Sequence, residues 1–117
     1  VDLTAFIART KAYSLWIIRL IDSLPKDDVA RTLGHQLLRA GCSVSANYRA
    51  ASPAKSRADF IAKMAIVEEE CDETIHWLEL LVDSGRIKAD KVALLNQEGV
   101  EILSMVVASI RTAKSRR

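Results

Sequence analysis

Few side chains in this sequence could do chemistry, and most of them lie in one stretch. Glu68-Glu69-Glu70-Cys71-Asp72-Glu73 is a dense acidic block, and Glu73-Thr74-Ile75-His76 is a Glu-x-x-His. That spacing puts two metal ligands on one helix face, as in di-iron bundles, which need two such motifs plus a glutamate from each of two further helices. Here the first half of the chain contains no glutamate, and the segment carrying Glu98 and Glu101 has no histidine. One copy assigns no metal within a single chain; only a site shared between subunits would remain. His35 and His76 fall on different predicted helices, with no serine or cysteine at a suggestive spacing. Cys42 and Cys71 sit among small or apolar residues and read as core residues offset from one another, not as a disulfide. Two cysteines outside any CxxC pattern fit a reducing compartment and a cytoplasmic protein. No catalytic residue and no cofactor is assigned, and no enzyme is expected.

The elements that position these residues are helices. The chain has 117 residues, half of them apolar, few aromatic, with four glycines and two prolines, a composition that favours helices over a turn-rich β-sandwich. Phe6, Thr10, Tyr13, Ile17, Leu20 and Leu24 alternate steps of four and three and predict a helix from about Thr4 to Leu24, stopped by Pro25. A second helix starts near Asp27 and Asp28, with Val29, Leu33, Leu37, Ala40, Val44 and Tyr48 as its stripe, and ends by Pro53. Its run Ala40-Gly41-Cys42-Ser43-Val44-Ser45-Ala46 is small enough for a neighbouring helix to approach closely; a break at Gly41 is the alternative. Ser56 with Asp59 three residues on makes a capping-box pattern for a third helix. That helix carries Phe60, Met64, Val67, Cys71, either Thr74 or Ile75, Leu78 and Leu81, and closes at Ser84-Gly85. A fourth begins near Ala89, carries Val92, Leu95, Gly99, Ile102, Val106 and Ile110, and runs into a basic tail at about 111–117.

Four long helices with short connections predict an all-α antiparallel up-down-up-down four-helix bundle, one domain over 1–117. No uninterrupted apolar run approaches the roughly 18–20 residues that span a bilayer. Nothing at the start reads as a signal peptide, and no membrane partner is expected. Ile7, Trp16, Ile18, Ile21, Ile66, Trp77, Leu80, Leu94, Val100, Leu103 and Val107 lie outside the core stripes. So wide an apolar arc predicts a homo-oligomer.

Within the bundle, helices two and three pair about Pro53-Ala54, which brings Arg39 level with Glu69. A buried or half-buried ion pair of Arg39 with Glu69 or Glu70 is expected, because a buried carboxylate needs such a partner. Asn47 is expected to hydrogen-bond inside the bundle and set register. The topology gathers Arg9, Lys11, Arg49, Lys55, Arg57, Lys63, Arg111, Lys114, Arg116 and Arg117 at one end, opposed only by Asp2 and Asp59. A face of that sign attracts RNA or DNA backbones with little sequence preference. Arg49, Lys55, Arg57, Arg111, Lys114, Arg116 and Arg117 are the expected phosphate contacts. The alternative is a protein-interaction adaptor that docks a polymerase or ribonucleoprotein.

The segments SxxANYRAA, SRADFIAK and VEEExDETxxWLELL, with the opening RTKAYSLWIIRLIDSLP and closing VASIRTAKSRR, resemble the bacterial "four helix bundle protein" family. Its members are encoded by, among other places, intervening sequences inside 23S rRNA genes. Ser45 and Pro53 depart from its pattern, standing where glycine and a basic or polar residue are expected. The resemblance implies a four-helix bundle, no enzymatic activity, and no cofactor or metal. It also implies similarity to the accessory protein of diversity-generating retroelements, which works beside a reverse transcriptase and nucleic acid. A ring-shaped pentamer is expected from the resemblance alone.

Overall fold

The computed structural model describes residues 2–116; Arg117, one of the expected phosphate contacts, lies outside the described residues. Four helices follow in order: α1 (Leu3–Asp22), α2 (Asp28–Ala51), α3 (Arg57–Asp83) and α4 (Ala89–Ser115). They run antiparallel in a rod of about 50 × 20 × 20 Å. Each neighbour in sequence packs on the next; α1 and α4 close the bundle and touch least of the four pairs.

Local chemistry sets the ends. Asp2 Oδ1 accepts from the Thr4 amide at 3.0 Å, and Asp27 Oδ1 from the Ala30 amide at 2.9 Å. Such bonds satisfy amides that have no partner in a first helical turn. Ser56 Oγ accepts from the Asp59 amide at 3.1 Å, the first half of the expected capping box. The second half is displaced: the Asp59 carboxylate accepts from the Lys55 amide and from Lys63 Nζ, each at 3.2 Å. The Lys55 amide bond is the larger cause, and the Lys63 ammonium the next, that hold the Asp59 carboxyl below the usual range. Gly85, at φ +78°, ends α3. Its amide donates to Val82 O and that of Arg86 to Leu81 O, both at 2.9 Å, which closes a Schellman motif that a left-handed residue makes possible.

The predicted stripe of α4 is the buried one, and so is that of α3 from Met64 onward, with Phe60 at its start half-buried. Thr74, not Ile75, takes the central place in α3. Its hydroxyl donates to Glu70 O at 2.7 Å, so it is buried without an unmet donor. On α2 Leu37, Ala40, Val44 and Tyr48 are buried as predicted, and the stripe is shifted only at its start: Ala30 is buried, Leu33 half-buried and Val29 exposed. The cause is the close approach of α1, which turns Ala30, Gly34 and Gly41 inward. The helix does not break at Gly41. A Cβ there would stand 2.7 Å from Ile17 Cδ1 and 3.0 Å from Ile17 Cγ2. Ser14 Oγ donates to Gly41 O at 2.7 Å and shares a hydrogen bond of 2.7 Å with Ser45 Oγ. The small run on α2 is therefore the seam that receives α1.

On the other side of α1, the Tyr13 hydroxyl lies where a Cβ on Gly99 would be only 2.5 Å away, so glycine on α4 leaves it room. That hydroxyl is buried without a hydrogen-bond partner, and burial raises its pKa. Burial also pushes the Cys71 thiol up to about 12, and both cysteines are free. α4 is long and apolar enough to cross a membrane by length and composition. Here its apolar stripe packs into the bundle, and its two glutamates, Glu98 and Glu101, accept from Arg9.

Candidate nucleic-acid interface

The start of α1, end of α2, start of α3 and end of α4 meet at one pole. The Phe6 and Tyr48 rings touch edge-to-face there, centroids 4.6 Å apart. Leu3, Ser52, Ser56, Arg57, Thr112 and Arg116, which come from the helix ends and the α2–α3 turn, line one cleft of about 590 Å³. Its floor includes buried Tyr48 and half-buried Phe60 and Met105.

The expected cations divide into two groups. Arg9 and Lys63 are neutralised. Arg9 Nε donates to Glu98 Oε2 at 2.9 Å and its Nη2 to Glu98 Oε1 at 2.7 Å, with Glu101 Oε1 3.1 Å from the same nitrogen. The bonds to Glu98 are the largest cause that raises the Arg9 pKa further. Lys63 is held by Asp59. Lys11, Arg49, Lys55, Arg57, Arg111, Lys114 and Arg116 are exposed, and none has a carboxylate within 4 Å among the described residues. Lys11 and Arg49 flank a second groove with Ile7, Ser45 and Ala46. At the opposite pole cations and carboxylates are mixed. Arg86 lies 3.5 Å from Asp27 and Arg31 2.8 Å from Asp28. Arg19, Lys26, Lys88 and Lys91 are exposed and unpaired among the described residues but share that end with Asp22, Glu79, Asp83 and Asp90. Of the paired cations, Arg9 was not expected to leave the basic group. The signal was available in Glu98 and Glu101, three residues apart on the helix that closes the bundle against α1.

Of the two expected partners of Arg39, Glu70 is the one that pairs with it, and Glu73 joins it. Arg39 Nη1 lies 3.3 Å from Glu70 Oε2, and its Nη2 pairs with Glu73 Oε1; Glu69 is exposed and makes no bond to it. Glu70 and Glu73, three apart, share the side of α3 that faces α2, while Glu69 points about 100° away. The pair is half-buried, the second of the two expected states: the Arg39 side chain is 48% exposed, and the Glu70 side chain 14%. Arg39 also donates to Gln36 Oε1 at 3.1 Å. The Trp77 indole N–H donates to Glu73 Oε1 at 3.1 Å, and this bond first, with the Arg39 guanidinium, holds the Glu73 carboxyl below its ordinary value.

Asn47 Nδ2 donates to Ser43 O at 2.8 Å within its own helix, so it crosses to no neighbour. Its half-buried place on α2 lets the backbone carbonyl four residues back outcompete a longer reach. Glu73 is thus engaged by Arg39 and Trp77, while His76 is exposed with its ring against Trp77. Among the described residues, no three His, Cys, Asp or Glu side chains converge on a point that could hold a metal ion.

Several apolar side chains remain outside the core. Leu15, Trp16 and Ile18 on α1, Ile66 on α3, and Leu94 and Val100 on α4 are exposed, Leu94 at 71%. Ile7, Ile21, Trp77 and Leu103 pack half-buried against the core.

Comparison with known proteins places this architecture. A crystal structure from Bacteroides thetaiotaomicron, of a protein of unknown function from the S23 ribosomal protein family, is 31% identical. It superposes with a TM-score of 0.87 over 95% of this chain and 99% of that one. No curated protein matches. Residues 5–108 match the family described as 23S rRNA-intervening sequence protein, and the span includes the small seam of α2, the acidic block of α3 and most of α4. The chain belongs to the 23S rRNA-intervening sequence protein family.

Proposed function

We propose that this chain is a non-enzymatic, homo-oligomeric scaffold whose basic pole binds RNA or DNA with little sequence selectivity. One observation carries the reading: the exposed, unpaired cations at one end of the rod are opposed by few carboxylates, while at the other end cations stand among Asp22, Asp27, Asp28, Glu79, Asp83 and Asp90. Unpaired lysines and arginines on one face neutralise phosphates and release the counterions condensed on the nucleic acid, which gives affinity without base readout. Arg49, Lys55, Arg57, Arg111, Lys114, Arg116 and Arg117 are the proposed phosphate contacts. The exposed apolar residues of α1 and α4 support self-association, and a ring of parallel rods, the pentamer among them, would join several basic poles into one face. The family name refers to 23S rRNA, which makes ribosomal RNA the first ligand to try.

The test is a salt titration of RNA binding with the wild type and a triple reversal, Arg111→Glu, Lys114→Glu and Arg116→Glu. Affinity should fall steeply with salt, and the reversal should flatten the slope by about 0.7–0.9 for each phosphate it leaves without a cation. Binding indifferent to salt, or undiminished in the reversal, would overturn the reading. Leu94, the most exposed of the large apolar side chains, favours the second reading, an adaptor that docks a polymerase or ribonucleoprotein. Its sign is a pull-down that survives nuclease treatment and high salt and is lost in Leu94→Glu.

A further inference from the structure

The basic pole is more than a charged surface. A solvated bundle end needs no hollow, yet this one opens into a cleft of about 590 Å³ with Phe60 and Met105 at its floor. That is within the ~300–1,000 Å³ typical of small-ligand sites. Arg57 and Arg116 line it, as do the hydroxyl-bearing Ser52, Ser56, Ser109 and Thr112. The amides of Arg57 and Ala58 open α3 beside it, at the positive end of the helix dipole.

Apolar, hydroxyl and cationic side chains in one lining match the three parts of a nucleotide: base, sugar and phosphate. We infer that this cleft takes one unpaired nucleotide, base on the Phe60 ring and flanking phosphates on Arg57 and Arg116, so that the basic pole prefers single-stranded nucleic acid to duplex. A duplex keeps its bases stacked inside and offers the pole only phosphates. An unpaired base offers a π-face, which stacks on an aromatic ring or a guanidinium plane whatever its sequence. The occupant is argued from charge complementarity: the rim cations Arg57 and Arg116 are exposed and have no carboxylate within 4 Å among the described residues, and a polyanion with a flat apolar base meets both rim and lining. The inference rests on the nucleic-acid reading above and deepens it.

The experiment compares three fluorescein-labelled 12-mers at one salt concentration: a single-stranded RNA, its blunt duplex, and an abasic strand with the same phosphates. The wild-type protein should bind the single strand about tenfold or more tighter than the other two. Ala108→Trp fills the cleft from α4 and leaves every cation in place. Phe60→Leu keeps an apolar floor and removes the ring. Both variants should lose the single-strand advantage and keep duplex affinity, and a 2-aminopurine in the strand should change fluorescence with wild type alone. Salt-dependent binding that is equal for all three probes, or unchanged in both variants, overturns the cleft while leaving the basic pole standing. No binding to any probe overturns both.

Discussion

Arg9 and Glu98 hold the first helix to the last. The guanidinium meets the carboxylate through two nitrogens, at 2.9 and 2.7 Å, across the pair of helices that otherwise touch least. Arg9 Nη1 also lies 3.1 Å from Met105 Sδ, so the same side chain spans two turns of α4. Because α1 and α4 are joined by no short loop, this fork supplies what chain connectivity supplies elsewhere in the bundle.

The first prediction follows from that geometry. Bidentate, charge-assisted pairs are the stronger kind, and this one is about a third exposed on the arginine side and a quarter on the glutamate side. Arg9→Gln or Glu98→Gln should each cost about 1–2 kcal/mol. A double-mutant cycle in urea should give a coupling of about 1 kcal/mol; a coupling under ~0.3 kcal/mol would mean that packing alone closes the seam. Glu101→Gln should cost less, because that carboxylate is more exposed and makes a single bond to the guanidinium.

Gly41 carries the second prediction. Alanine is the better helix former by about 1 kcal/mol, so Gly41→Ala would stabilise α2 if the site were open. It is closed by the branched, fully buried Ile17, whose Cγ2 and Cβ lie 3.0 and 3.3 Å from the new methyl and cannot swing away as a chain tip could. The variant should therefore lose about 1–3 kcal/mol from overpacking. Ile17→Val in the same chain removes Cδ1, the nearest atom, and should recover part of that loss. Gly34→Ala meets only the flexible ends of Leu24 and Ile21, at 3.1 and 3.6 Å, and should be nearly neutral. Thermal melts of these variants beside the wild type decide it.

These two sites also show what was readable beforehand. The threes-and-fours pattern led directly to the helices and to the burial of Met64, Val67, Leu95, Ile102 and Val106, because backbone periodicity alone selects the inward face. The small run around Gly41 gave away a close approach, though not its partner, Ile17. Val29 against Ala30 was decided by where α1 leans, which no local pattern on α2 contains. For the same reason Arg39 was legible as an ion-pair former while its partners were legible only in part: choosing Glu70 and Glu73 over Glu69 needs the rotation of α3 to within one residue. The basic pole followed from topology, and its cleft did not, since a hollow depends on how far the helix ends stand apart.

Glu73 supplies the third prediction, a pH dependence. Its carboxylate accepts from the Trp77 indole and pairs with Arg39, and both favour the charged form. The folded pKa thus lies below the ordinary glutamate value of about 4.3. Between those two values the unfolded chain binds the proton and the folded chain does not, so stability rises with pH across that window. The contribution is complete above the ordinary value and is lost as pH falls through the lowered folded one. Glu73→Gln keeps an acceptor for the indole N–H but has no charge to titrate. Urea midpoints measured from about pH 6 to about pH 3 should fall less steeply for Glu73→Gln than for wild type, with the two curves drawing together at the acid end. Trp77 emission should shift over the same interval in the wild-type protein, because protonating Glu73 weakens the bond to its ring nitrogen. Parallel curves would show that the pair of Arg39 with Glu70 suffices when Glu73 is neutralised, so that Glu73 adds nothing to the hold of α2 on α3.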